Sequence, residues 1–116
     1  NINSETKKIP ALVHCFVGEL YAKENFKIKD KDVLSAIKFH STASKDMSKL
    51  AKIIYIADLV EPNRKFKGVD IIRKTAFKSL NKAMLLGIQS KISHLLKRKL
   101  LIHSDSIKAW NEYCRG

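Results

Sequence analysis

The spacing of apolar residues along the chain predicts helices, and no segment alternates as a strand would. Apolar side chains recur three or four residues apart, which is the period of a helix with one buried face. Pro10 opens the first helix, which runs to about Lys23. Asp30 or Asp32 caps the second, which ends near His40. We therefore expect an all-α fold.

Four further helices are predicted after the loop at residues 41–44. Proline disfavours helix in the residue before it, so the Glu61-Pro62 step ends the third helix. With 116 residues, the chain is long enough for a single helical domain over residues 1–116. The four helices run from Met47 to about Val60, from Asp70 to Phe77, from Ser79 to about Lys99, and onward from just after Ser104.

Three side chains that can bind metals, His14, His40 and Asp58, lie on the apolar sides of three different predicted helices. At 100° per residue, Asp58 falls inside an apolar stripe of a helix that should be buried all round. A buried carboxylate without a partner is costly or loses its charge. A metal ion would hold two imidazoles and a carboxylate together in a core, so we predict a metal site built from separate helices. The stripe consists of Met47, Leu50, Ala51 and Ile54.

Each of these residues also has an ordinary structural interpretation. His14 lies at the edge of the apolar face of its helix and could be a partly buried histidine with one hydrogen bond. Asp58 could pair with a core lysine or cap a neighbouring helix. Gly18, one turn after His14, is expected to leave room beside the histidine. Of the other histidines, we expect His94 to be exposed and His103 to make a structural hydrogen bond.

The charge of the chain favours a polyanionic ligand without identifying it. The formal net charge is +12, but only four of the 23 basic residues are arginine. The lysines are spread over predicted helix surfaces, and aromatic residues are not interleaved with them, so no nucleic-acid stacking platform is evident. Excess positive charge would attract a phosphate-rich substrate as well as it would attract DNA.

The remaining composition is that of a folded protein without a membrane span. Hydrophobic residues make up 45% of the chain, and no apolar run reaches the ~18 residues that a span requires. Cys15 and Cys114 show no disulfide or zinc-finger spacing, so we expect free thiols and a cytoplasmic location.

Several motifs together resemble a known family, the YqeK branch of the HD-domain phosphohydrolases. The stretch Ala-Asp-x-x-Glu-Pro-x-Arg at residues 57–64 is the most specific of them. The resemblance covers nearly the whole chain from about Ile9. It implies an HD-domain-like helical bundle that splits diadenosine tetraphosphate symmetrically into two ADP molecules at a dinuclear metal centre, commonly iron. The segments that carry the resemblance are residues 14–18 (HCFVG), 38–42 (KFHST), 55–64 (YIADLVEPNR) and 102–111 (IHSDSIKAWN).

The resemblance implies roles for individual residues. His14 and His40 match two histidine ligands, and Asp58 matches the closing aspartate ligand. Iron, manganese, zinc and cobalt all accept such donors, so the metal stays open. The implied reaction is metal-assisted hydrolysis, in which the ions activate water and polarise a phosphoryl oxygen. Arg64 is the candidate phosphate contact, with Thr42 as a second one, although Arg64 could equally be a surface arginine.

The chain departs from the family pattern in ways that bear on activity. Cys15 replaces the usual glycine, and Ala43 replaces the glycine that ends a His-Thr-Thr-Gly motif. The first histidine ligand and the His-Asp pair of the family find no match here. We expect either the C-terminal part of a longer enzyme, one in which a nucleotidyltransferase could precede the domain, or a degenerate protein. In both cases the chain alone should bind metal weakly and hydrolyse little substrate.

Two other classes of function remain open. A basic helical module could bind nucleic acid, in which case its affinity should fall steeply as salt rises. An interaction domain without catalysis could use apolar faces left uncovered by absent helices, and such faces would favour a homodimer.

Overall fold

The computed structural model describes residues 4–116, with the side chains of Pro10 and Ala11 excepted. Every regular element in this range is a helix, and the predicted all-α fold is confirmed. The helices are α1 (Ser4–Lys7), α2 (Pro10–Asn25), α3 (Lys31–Phe39), α4 (Lys49–Leu59), α5 (Val69–Lys78), α6 (Leu80–Lys97) and α7 (Ser104–Cys114).

Short polar side chains set the beginnings of the central helices. The Asp30 carboxylate accepts hydrogen bonds from the next turn and caps α3, as one of the two predicted candidates. The Ser48 hydroxyl accepts from the N–H of Ala51, so α4 begins two residues later than predicted from Met47. Ser79 caps α6 as predicted, because its hydroxyl accepts from the N–H of Lys82. The predicted boundaries therefore hold to within a few residues.

Helix α1 was not predicted, and it lies against the start of α7. Both oxygens of the Glu5 carboxylate accept from Ser104, one from its N–H at 2.7 Å and one from its hydroxyl at 2.6 Å. The buried Thr6 hydroxyl lies 2.8 Å from Nε2 of His103, and Nδ1 of His103 accepts from the N–H of Asp105. His103 therefore makes structural hydrogen bonds, as expected. It is also the cap of α7, which begins at Ser104 itself and not just after it.

The core lies between α6 and the helices that surround it. Helix α6 packs against α4, α5 and α7, while α3 packs between α2 and α4. None of the helices in the described part of the chain is long and apolar enough to cross a membrane. The buried apolar residues that make up the core are Ala36, Ala43, Met47, Ala51, Tyr55, Ile56, Ile72, Ala83, Met84, Ile88 and Ala109.

The expectation that α4 is buried all round is wrong. The helix packs mainly against α3 and α6 and leaves Leu50, Ile53 and Ile54 well exposed. The apolar face of α2 is likewise open at Val17 and Tyr21. Within residues 4–116 no helix covers these side chains. They leave an apolar surface on α2 and α4.

Gly18 faces α3. A Cβ atom built at Gly18 would lie 3.4 Å from a methyl group of Ile37 on that helix, which is ordinary contact distance. The expectation that the glycine leaves room beside His14 stays a prediction.

Replacing Ser79 with alanine is expected to destabilise the protein by about 1 kcal/mol, because the first turn of α6 loses its side-chain acceptor. The midpoint of urea unfolding should fall while the slope of the transition stays unchanged. Ser93→Ala, on the exposed side of the same helix, should change the free energy of unfolding by less than about 0.5 kcal/mol. Equal effects of the two substitutions would show that the cap contributes nothing.

Candidate metal and phosphate site

Two histidines and a cysteine bring their donor atoms together between α2 and α3. The Sγ atom of Cys15 lies 3.5 Å from Nε2 of His14 and 3.8 Å from Nε2 of His40. The two imidazole rings meet edge to face with their centres 5.9 Å apart. All three donor atoms lie within 4.8 Å of one another, and no other such trio occurs among the described residues. This His/Cys/His cluster has the donor chemistry of a transition-metal site.

His40 is oriented for metal binding by the end of its own helix. It follows the last residue of α3, and its Nδ1 lies 2.7 Å from the carbonyl oxygen of Ile37. That carbonyl can only accept, so Nδ1 carries the proton and Nε2 keeps a free lone pair toward the cluster. A hydrogen bond of this kind on the opposite ring nitrogen is the usual support of a metal-binding histidine.

The loop after His40 is fixed from two sides. The N–H of Ala43 donates to the carbonyl of Phe39 at 2.9 Å, and the Ser106 hydroxyl donates to the carbonyl of Thr42 at 2.7 Å. Ala43 is fully buried and has a φ of 62°, in the left-handed region that favours glycine. The alanine at this position therefore keeps the turn at the cost of backbone strain.

Asp58 is not buried, and this corrects the expectation drawn from the helical wheel. Its side chain on α4 is 45% exposed and lies 3.8 Å from the Arg64 guanidinium. It is not among the donors of the His/Cys/His cluster, although it faces the same cavity as His40. The carboxylate is exposed because α4 is covered on only part of its surface. Its role as a metal ligand stays a prediction.

A cavity of about 390 Å³ joins His40 and Asp58 to a basic wall. Arg64, Lys65 and Lys91 supply three cationic groups around it. Burial lowers the pKa of Lys91, and the nearby Asp58 carboxylate acts in the opposite direction. The cavity thus combines candidate metal ligands with the positive charge that phosphate oxygens require.

Thr42 lies in a second cavity of about 410 Å³, together with His14 and Ser41. Its hydroxyl is buried, and among the described residues it has no hydrogen-bond partner. Thr42 and Arg64, both predicted as phosphate contacts, therefore line different cavities. Lys91 borders both of them. Neither phosphate-contact assignment is tested by this arrangement.

Arg73 positions the segment that carries Arg64. Its guanidinium donates hydrogen bonds to three backbone carbonyls, those of Val60 at 2.9 Å, Glu61 at 3.0 Å and Arg64 at 3.1 Å. It also pairs with Asp70 on α5 at 3.1 Å. The Glu61 carboxylate lies 3.8 Å from Arg64. The turn after α4 is therefore held by one side chain from α5.

Replacing Arg73 with lysine should lower the free energy of unfolding by roughly 1–3 kcal/mol. A single ammonium group cannot reproduce three fixed bonds, and two or more carbonyl acceptors would be left unpaired. Urea unfolding measures the loss, with Arg115→Lys at the exposed C-terminus as the matched control. A loss no larger than that of the control would show that the turn does not depend on Arg73.

Three residues of this region were not singled out from the sequence. Cys15 directly follows His14, and consecutive helix residues point about 100° apart, so a search by helix faces separates them. Lys91 and Arg73 were read as ordinary basic residues of helix surfaces. Of these three positions, the sequence drew attention only to residue 15, because Cys15 replaces a glycine of the family pattern there.

No family model matches the chain, but several known proteins are similar to it. A protein from Halalkalibacterium halodurans named "Bis(5'-nucleosyl)-tetraphosphatase, symmetrical" is 42% identical over 101 residues, 87% of this chain and 54% of that protein. A Bacillus subtilis protein of the same name is 36% identical over 107 residues, 92% of this chain and 58% of that protein. The chain thus spans about half the length of the curated relatives it matches.

A solved structure shows the same fold. The crystal structure of a predicted HD superfamily hydrolase involved in NAD metabolism from Clostridium acetobutylicum is 41% identical, with a TM-score of 0.92 over 99% of this chain and 61% of that one. A Mycoplasma genitalium protein named "Probable nicotinate-nucleotide adenylyltransferase/Ap4A hydrolase" is 38% identical over 84 residues, 67% of this chain and 24% of that protein.

The fold and the matching sequences define the class as HD superfamily hydrolases. Within that class, the Halalkalibacterium halodurans and Bacillus subtilis relatives align with most of this chain. Both are named as symmetrical bis(5'-nucleosyl)-tetraphosphatases. The resemblance predicted from the motifs is therefore confirmed over the part that the chain spans. The HD hydrolase fold implies a divalent metal, and the donors of the His/Cys/His cluster fit one.

Proposed function

We propose that this chain forms part of the active site of a metal-dependent hydrolase. With a divalent metal, the enzyme would convert diadenosine tetraphosphate or related dinucleoside polyphosphates to nucleoside diphosphates. One observation carries the proposal. His40, a member of the His/Cys/His cluster, faces the same cavity as the cationic side chains of Arg64 and Lys91. Phosphoryl hydrolysis requires this combination of metal ligands and positive charge. The names of the relatives support the choice of substrate.

The proposed metal ligands of this chain are His14, His40 and Asp58. A bound divalent metal supplies Lewis acidity that polarises a phosphoryl oxygen and activates water. The chain's part is to hold the donors in place, with Ile37 orienting His40 through its carbonyl. By resemblance the metal is iron in a dinuclear centre, with manganese, zinc and cobalt as alternatives.

Arg64, Lys91 and Thr42 are the proposed phosphate contacts. The Arg64 guanidinium is half exposed and loosely paired with Asp58 at 3.8 Å, so it is free to bind phosphate bidentately. Lys91 borders both cavities, and the Thr42 hydroxyl is an unused donor on the second. A substrate with several phosphates can span the two cavities. The net charge of +12 would attract such a polyanion.

We further propose that the remaining metal donors come from residues outside this chain. A two-metal site needs more ligands than the described residues bring together, and the curated relatives are about twice as long. A preceding segment of the same protein, fused to a nucleotidyltransferase as in the Mycoplasma relative, would supply them. A homodimer is the alternative source. The chain alone should then show negligible hydrolysis.

Chelation tests the proposed function in the protein at its natural length. Hydrolysis of diadenosine tetraphosphate should stop when a chelator removes divalent metal and should return with added manganese or iron. Loss of a residue that only supports a metal ligand typically costs roughly 10–100-fold in activity. Since Asp58 is a proposed direct ligand, Asp58→Asn should lower the restored rate by at least this much. Asp32→Asn, at the exposed start of α3, is the matched control and should keep the rate. Hydrolysis that persists without metal, or an undiminished rate in Asp58→Asn, would contradict the proposal.

A further inference from the structure

The position of the Cys15 sulfur matches that of a metal ligand. In a tetrahedral site, bonds of about 2.3 Å to sulfur and 2.0–2.1 Å to nitrogen separate the two donors by about 3.5 Å. The Sγ atom lies 3.5 Å from Nε2 of His14 and 3.8 Å from Nε2 of His40. Both distances are those of the edges of such a tetrahedron. Small side-chain shifts would place one ion in contact with all three atoms.

The single thiol proton of Cys15 can serve only one of the three polar neighbours of the sulfur. The thiol has one proton, and its contact to the Ser41 hydroxyl is 3.5 Å long. Nε2 of His40 is an acceptor, because its Nδ1 already donates to the carbonyl of Ile37. Cys15 is only 1% exposed, so water cannot readily reach its thiol. A metal ion would satisfy the sulfur and both nitrogens at once.

We propose that Cys15 is a third ligand of the metal held by His14 and His40, binding as a thiolate whose proton passes to solvent. This inference rests on the metal role of the two histidines in the proposed function. It also assigns the metal class. Thiolate is a soft donor, so a site of two imidazoles and one sulfur favours zinc and cobalt over manganese and magnesium.

The fourth position of this site would face the phosphate cavity. His40 lines that cavity with Asp58, Arg64 and Lys91, whereas Cys15 lies behind it in the interior. Three protein donors with one accessible position are typical of catalytic zinc sites.

Cobalt binding tests the assignment without any assay of hydrolysis. The chain is titrated with Co²⁺ and its absorption spectrum recorded, because a thiolate ligand gives an intense charge-transfer band in the near ultraviolet that nitrogen and oxygen ligands do not give. We expect the band in the wild-type chain and in Cys114→Ser, whose exposed cysteine lies at the end of α7. Cys15→Ser should abolish it and should lower zinc affinity at least about tenfold more than manganese affinity.

The controls leave each outcome interpretable. The chain has two cysteines, so a band that survives Cys114→Ser assigns Cys15 even where Cys15→Ser fails to fold. Cobalt bound without the band, no cobalt bound even in large excess, or a band lost in Cys114→Ser would overturn the inference. The proposed hydrolysis is judged separately by the chelation experiment. It can hold with a metal bound only through nitrogen and oxygen.

Discussion

Replacing His40 with alanine is expected to weaken binding of a divalent metal by more than about 100-fold. Loss of an outer-shell partner alone costs roughly 10–100-fold, and His40 is a proposed direct ligand. Its Nε2 is held toward the cluster by the 2.7 Å contact between Nδ1 and the carbonyl of Ile37. Isothermal titration with zinc or manganese measures the affinity of the variant and of the wild type.

His94→Ala is the control for this substitution. His94 is an exposed imidazole on the wall of the same cavity, but it is outside the His/Cys/His cluster. Removing it should leave metal affinity unchanged. Both variants should unfold at nearly the wild-type urea concentration, since neither side chain belongs to the buried core. Equal metal affinity in His40→Ala and the wild type would exclude His40 as a ligand.

Replacing Met84 with alanine should lower the free energy of unfolding by about 3 kcal/mol. Met84 on α6 is completely buried where α6 meets the rest of the core, and truncation of such a side chain leaves a cavity that the neighbours fill only in part. The loss should appear as a lower midpoint of urea unfolding with an unchanged slope.

Phe77→Ala provides the comparison for Met84→Ala. Phe77 at the end of α5 is 93% exposed, so its removal should change stability by less than about 0.5 kcal/mol. If Met84→Ala cost no more than Phe77→Ala, the assignment of the core around α6 would be wrong. Neither substitution touches the His/Cys/His cluster, so metal binding should survive in both.

The sequence predicted the helices well because their ends depend on local chemistry. Asp30 and Ser79 are caps whose side chains bond within one turn, and Pro10 opens α2, so their roles are readable without tertiary structure. Helix α1 is different. It is held through contacts of Glu5 and Thr6 with the start of α7, nearly 100 residues away in the chain, and nothing local announces it.

Burial was harder to predict, since it depends on which helices lie alongside. The apolar stripe of α4 correctly placed Met47 and Ala51 in the core, but Leu50 and Ile54 remain exposed because this helix packs mainly against α3 and α6. Asp58 shares that open side, so the argument from its burial was wrong. Its assignment now rests on the resemblance and on the cavity that it shares with His40.

The candidate site was predicted in part. His14 and His40 do meet across α2 and α3, as expected from their positions on two helices. Helix periodicity could not show that Cys15 would join them, because it places the adjacent residues His14 and Cys15 on different faces of α2. The sulfur and the longer His14 imidazole nevertheless reach the same point. The nucleic-acid alternative stays a prediction that salt-dependent binding would test.

Identifying the products of diadenosine tetraphosphate hydrolysis tests the central claim most directly. The protein at its natural length is incubated with the dinucleotide and manganese or iron, and the nucleotides are separated by ion-exchange chromatography. ADP as the sole product, absent when a chelator is present and when His14 is replaced by alanine, is the predicted result. AMP together with ATP, or ADP formed at an unchanged rate by His14→Ala, would contradict a symmetrical hydrolase that depends on this metal site.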